Sequence, residues 1–99
     1  ALNNEINPVK DIENINYENT RVRYALITDC ERDNEFIMKC ISAGCVIDGI
    51  KSNKVSIFKV EQAKGLEFDY VYIYDKNMTK NEKYIAYTRA LSRLVIIKD

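Results

Sequence analysis

The chain has no histidine and no tryptophan, one proline, and only three glycines, Gly44, Gly49 and Gly65. Each shortage closes off a class of chemistry. Without histidine there is no Ser-His-Asp or Cys-His arrangement, and the usual zinc ligand sets lose their imidazoles. Three glycines so placed form neither a G-x-x-x-x-G-K-[ST] loop nor a G-x-G-x-x-G turn, so a self-contained ATPase or dinucleotide enzyme is not expected. Cys30, Cys40 and Cys45 contain no C-x-x-C pair and are odd in number. They read as buried free thiols of a reducing cytosol, with no metal site. No apolar run approaches the roughly 20 residues of a membrane span, and no signal peptide opens the chain. The expectation is a cytoplasmic protein with no membrane partner. Basic and acidic residues balance at 15 each, so bulk charge points to neither nucleic acid nor lipid. Lys76, Lys80, Lys83, Arg89, Arg93 and Lys98 gather late, which ordinarily makes a solvated surface.

What is present fits one domain, since 99 residues bury only about two thirds of their unfolded surface. Residues 1–20, rich in asparagine and acid, read as a loosely ordered lead-in with a short strand near Ile12 to Tyr17. Residues 21–99 read as the domain, and the whole chain as a fragment of a longer protein. Tyr24-Ala25-Leu26-Ile27 is a continuous apolar run of the kind buried on both faces of a parallel sheet. Thr28-Asp29 supplies turn and N-cap chemistry for a helix over about 31–43, with Gly44 as its C-cap. Cys45-Val46-Ile47 predicts a short strand and Asp48 to Asn53 a turn. Val55 to Val60, Tyr70 to Tyr74 and Leu94 to Ile97 predict further strands. Thr79-Lys80-Asn81-Glu82 is a capping box for a helix running to about Ser92. Apolar strands alternating with helices predict an α/β fold, an open and largely parallel sheet flanked by helices.

Two segments hold the chemistry. Ala63-Lys64-Gly65-Leu66-Glu67-Phe68-Asp69 places a lysine, a glycine and a carboxylate in one turn, expected beyond the carboxyl ends of the strands where open α/β sheets collect ligands. Glycine there allows a left-handed backbone or close approach to a ligand. Lys64 suits a phosphate or carboxylate, and Glu67 a sugar hydroxyl. The bland alternative is a structural turn with two solvated charges. Tyr84-Ile85-Ala86-Tyr87-Thr88-Arg89-Ala90 places Arg89 on a helix whose stripe of Tyr84, Tyr87, Thr88 and Leu91 packs on the sheet. Arg89 is then either an exposed or ion-paired side chain, or a finger for a phosphate held by a neighbouring domain. Its planar, permanently charged fork suits the second task.

These two segments, in this order and each followed by an apolar strand, resemble motifs V and VI of superfamily 1 helicases. The UvrD/Rep group is the nearest, and within it the helicase IV and HelD-like branch. The resemblance covers residues 55–98 and is compatible with residues 22–47. It implies a RecA-like (P-loop NTPase-type) fold without its own P-loop, the C-terminal motor domain of an ATP-dependent DNA helicase. ATP would lie at the interface with an N-terminal RecA-like domain of the same protein, which holds the Mg²⁺. The resemblance implies that Arg89 reaches the γ-phosphate and Glu67 the ribose. Gly65 admits the backbone to the nucleotide, Lys64 joins the motif to nucleotide or neighbouring domain, and Tyr84 and Thr88 aim Arg89.

Where relatives carry Thr-x-His, whose threonine and histidine approach single-stranded DNA, this chain departs with Lys59 and Glu61 and has Gln62 next. The departure weakens the expectation of DNA contact here, and Lys59, as a substitute phosphate partner, and Gln62 are the candidates for it. An Asn-Tyr-Arg-Ser motif is missing; Asn16-Tyr17-Glu18-Asn19 lacks the arginine. The fragment is expected to be monomeric and inactive alone. A different class of function is a helicase-derived binding module that docks nucleic acid or a protein such as RNA polymerase without catalysis.

Overall fold

The computed structural model describes residues 23–47 and 54–97. The lead-in segment, its expected strand and the Asp48 to Asn53 turn lie outside the described residues. Among the described residues four strands form one sheet in the order β2-β1-β3-β4, and every neighbouring pair is parallel. The α/β fold with an all-parallel sheet flanked by helices is therefore as the apolar runs require.

Strand β1 (Tyr24–Thr28) is buried along its whole length because β2 and β3 flank it and helices cover both faces. Tyr24 and Leu26 face one core, and Ala25 and Ile27 the other. Helix α1 (Glu35–Ser42) follows, later than the expected start at 31. Its cap is Asn34, whose Oδ1 accepts from the Phe36 and Ile37 amides at 2.9 and 3.1 Å, not the Thr28-Asp29 pair. Thr28 Oγ1 instead accepts from the Cys30 amide at 3.0 Å, closing a local turn before the helix can begin. Gly44 takes φ +113° just past the helix end, as a C-terminal glycine should. The expected strand at Cys45-Val46-Ile47 reduces to a single parallel bridge between Val46 and Ser56.

Strand β2 is Val55–Lys59. Directly after it comes a helix that the sequence did not announce, α2 (Val60–Ala63), which buries Val60 and Ala63. Strand β3 (Phe68–Tyr74) starts two residues earlier than expected and pairs with both β1 and β4. Helix α3 (Lys80–Tyr87) opens on the capping box: Glu82 N donates to Thr79 Oγ1 at 3.1 Å, and Thr79 N to Glu82 Oε1 at 2.9 Å. It ends well before Ser92, because β4 (Ala90–Ile97) takes over to pair with β3. Its packing contacts come from buried Ala86 with Ile85 and Tyr87, while Tyr84 is exposed, contrary to the expected stripe.

The sheet separates two cores. On one side α1 sets Ile37 and Cys40 on Tyr24, Leu26, Val55 and Ile57. On the other, α2 and α3 set Val60, Ala63 and Ala86 on Ile27, Phe58, Phe68 and Ile73. The thiols of Cys40 and Cys45 share a hydrogen bond inside the first core, and with burial this keeps Cys40 protonated, its pKa held far above that of an ordinary thiol. All three cysteines are free.

Candidate functional site

The chain climbs β2, turns through α2 and must return to the start of β3. The Lys64–Glu67 turn therefore lies at the amino ends of the strands, not beyond their carboxyl ends as the sequence suggested. Residues 60–67 make the whole crossover, shorter than the dozen or more residues usual between parallel strands. A hydrogen bond from Leu66 N to Ala63 O at 2.9 Å closes the turn. Gly65 sits in it at φ +85°, and nothing lies within 4 Å of where a Cβ would be. The positive φ calls for glycine, and the open space leaves its backbone accessible.

Arg89 reaches this same turn. It is not on a helix but in the short link between α3 and β4. Its main-chain carbonyl accepts from Phe68 N at 2.9 Å. Its guanidinium donates three ways: Nε to Ile85 O at 3.0 Å, Nη1 to Leu66 O at 3.2 Å, and Nη2 to Thr88 Oγ1 at 3.0 Å. Thr88 Oγ1 in turn donates to the carbonyls of Tyr84 and Ile85 at 2.9 and 3.0 Å. These bonds satisfy carbonyls that the end of α3 leaves over, and they fix the direction of the Arg89 fork. A guanidinium has five N–H groups, so about two remain for a ligand.

Lys64 and Glu67 are exposed on the turn, and the Glu67 carboxylate has no hydrogen-bond or ion-pair partner among the described residues. The turn is also held by Arg23, a residue that no motif singles out. Arg23 Nη2 donates to Glu67 O, its amide donates to Asp69 Oδ2 at 2.8 Å, and its guanidinium lies 5.5 Å over the Phe68 ring. The only sequence signal for it was a position just ahead of the first apolar run. The structure thus brings Lys64, Gly65, Glu67 and Arg89 together and adds Arg23.

Lys59 and Gln62 stand apart, at the opposite edge. Lys59 ends β2, and its ammonium forms an ion pair with Glu31, which raises its pKa. Gln62 Oε1 accepts from the Lys59 amide at 2.9 Å, capping α2. Both line a cleft of about 100 Å³ with Thr28, Cys30, Glu31 and Arg32. Burial pushes the Cys30 thiol up, so it is no ready nucleophile. Nearby, Asp29 accepts from the Lys76 and Asn77 amides at 3.1 and 2.8 Å, closing the crevice between the ends of β1 and β3.

Among the described residues no group of three or more histidine, cysteine, aspartate or glutamate side chains could hold a metal ion. Among them also, no helix is long and apolar enough to cross a membrane. Compared with protein-family models, with curated proteins and with solved structures, the chain finds no match in any of the three.

Proposed function

We propose that this chain is the second RecA-like motor domain of an ATP-dependent DNA helicase or translocase of the UvrD/Rep type. Its role is to complete an ATP site whose Walker loop and Mg²⁺ belong to an N-terminal partner domain. One observation carries the reading: Arg89 and the Gly65–Glu67 turn, 23 residues apart at the Leu66 contact, meet through the Nη1–Leu66 O bond. Two motifs that the resemblance assigns to one nucleotide thus lie on one edge.

The residues present fit the edge of a nucleotide. The turn that holds the accessible Gly65 carries Lys64 and is bonded by Arg23 and Arg89, three cations beside the carboxylates of Glu67 and Asp69. ATP bound by the partner domain supplies the phosphoanhydride bond. Arg89 then offers its remaining N–H groups to the γ-phosphate, countering the charge that builds on its oxygens. Glu67 accepts from a ribose hydroxyl, Gly65 lets the backbone approach, and Lys64 helps dock the two domains. Domain closure brings these groups in, and opening after hydrolysis withdraws them, which moves the protein along a single strand.

The test is Arg89→Ala in the intact, Walker-bearing protein. DNA-stimulated turnover should collapse while nucleotide binding persists, and near-normal ATPase would sink the assignment. A second reading, a docking module without catalysis, is favoured by the exposed apolar side chains Leu91, Leu94 and Ile96 on edge strand β4. Such a patch on an edge strand suits a protein partner. A parent protein lacking any G-x-x-x-x-G-K-[ST] loop would select that reading.

A further inference from the structure

We propose that Arg23 is a second phosphate-binding guanidinium of the amino edge, and that Arg23, Lys64 and Arg89 together bind a polyphosphate in this chain alone. The inference deepens the nucleotide reading above and rests on it.

Arg89 and Arg23 donate to successive carbonyls of one turn, Leu66 O and Glu67 O. Both guanidiniums lie on the side of the sheet that carries α2 and α3. Arg23 lies over Phe68, which belongs to that core, and Arg89 is bonded to Ile85 and Leu66, which pack against it. Two forks are thus tied to successive carbonyls of one turn, and the exposed Lys64 belongs to the same turn.

Their donors are only partly engaged. Among the described residues Arg23 uses one side-chain N–H, to Glu67 O, out of the five a guanidinium has. The Phe68 ring 5.5 Å beneath it restrains the guanidinium through a cation–π contact, which lowers the entropy lost when it grips an oxyanion. Gly65 adds a backbone that nothing covers. Glu67 and Asp69 oppose the anion, but Asp69 is already turned to the Arg23 amide. Three cations against two carboxylates leave one net positive charge. That favours weak binding, on the order of millimolar, with strong salt dependence.

The ligand class is a polyphosphate presented end-on, such as the terminal phosphates of a nucleotide. A polyphosphate has enough oxygens to engage two forks at once, whereas a single carboxylate has only two.

The experiment titrates inorganic triphosphate into the isotope-labelled chain at low salt. It follows the Gly65 and Leu66 amide signals and the arginine Nε–H signals by NMR. Wild type should show saturable shifts at millimolar triphosphate, weakening as salt rises. Arg23→Gln keeps an N–H for Glu67 O but removes the charge; it should weaken binding at least fivefold, with thermal stability close to wild type. Arg23→Lys should recover only part of the loss. Lys80→Ala, at the start of α3, should bind as wild type does.

Wild-type affinity in Arg23→Gln would mean that Arg23 only braces the turn, and the proposal falls. An absence of saturable shifts in wild type overturns it as well. Neither result touches the Arg89→Ala turnover test, so an active Arg89 beside a silent Arg23 removes this inference and leaves the motor reading standing.

Discussion

The two edges of the sheet differ in charge and in how much of that charge is already committed. The described residues at the amino edge hold Arg23, Lys54, Lys64 and Arg89 against Glu67 and Asp69. The loops at the carboxyl edge hold Arg32, Lys59 and Lys76 against Asp29, Glu31, Asp33, Glu61 and Asp75. At the carboxyl edge Lys59 is paired with Glu31, and Asp29 closes the crevice between β1 and β3. At the amino edge Gly65 is open and two guanidiniums keep donors in reserve. Parallel α/β domains that hold their own ligand place it at the carboxyl edge. A domain that finishes a neighbour's site has no such constraint, and here the guanidiniums with donors in reserve sit on the other side. The contrast favours the nucleotide role over the DNA-contact role of Lys59 and Gln62.

The contrast can be broken first through activity. In the intact protein, Arg89→Ala should lower DNA-stimulated ATP turnover by roughly 10³-fold or more, and Lys59→Ala by far less. Equal losses would erase the difference between the edges.

Stability gives the next largest effects. Phe68, fully buried beneath Arg23 and 5.2 Å from the Phe58 ring, should cost about 3–5 kcal/mol as Phe68→Ala. The half-buried Phe36, at the carboxyl edge against Tyr74, should cost clearly less; urea unfolding of both variants measures this. Asp29→Ala leaves the Lys76 and Asn77 amides without their acceptor, and about 1.5–3 kcal/mol should disappear from the same unfolding curves.

Gly65→Ala, strained by the positive φ but free of any clash, should cost roughly 1–2 kcal/mol. A stabilised variant would show that the turn does not hold this backbone in solution.

The smallest effect is a pH dependence peculiar to the carboxyl edge. Glu31 raises the Lys59 pKa above the ordinary lysine value of 10.5. The pair's contribution is therefore fully present below 10.5 and fades as pH climbs through the higher folded value. Wild type should lose slightly more stability than Glu31→Gln across that alkaline range, as followed by urea midpoints. Parallel curves for the two proteins would remove the pair from the account.

Much of this fold was legible in the apolar runs. Tyr24 to Ile27 reads as a central strand because it lacks alternation, and it is buried on both faces for that reason. The Thr79 capping box marked the start of α3 to the residue. Its end was not legible: Ala90-Leu91-Ser92 suits a helix locally, but Phe68 needs a pairing partner and the sheet claims those residues. Arg89 consequently moved from a helix face to a turn. Helix α2 escaped because four residues show no periodicity. The wrong edge was assigned to Lys64 and Gly65 for the same reason, since a polar stretch does not reveal that it has already turned back. Lys64, Gly65, Glu67 and Arg89 were legible as a group through their motifs. Arg23 was not, because its partners Glu67 and Asp69 lie more than forty positions away along the chain.

The brevity of the crossover has a mechanical meaning. From Lys59 to Phe68 the path runs back from the carboxyl to the amino edge and passes over β1, a span of roughly 20 Å at ordinary strand spacings. One helical turn, a tight bend and two extended residues provide a contour of about the same length. The link is a taut tether with little slack to absorb a displacement. A displacement at the end of β2 is passed toward Gly65 through α2, whose Val60 and Ala63 are themselves core residues.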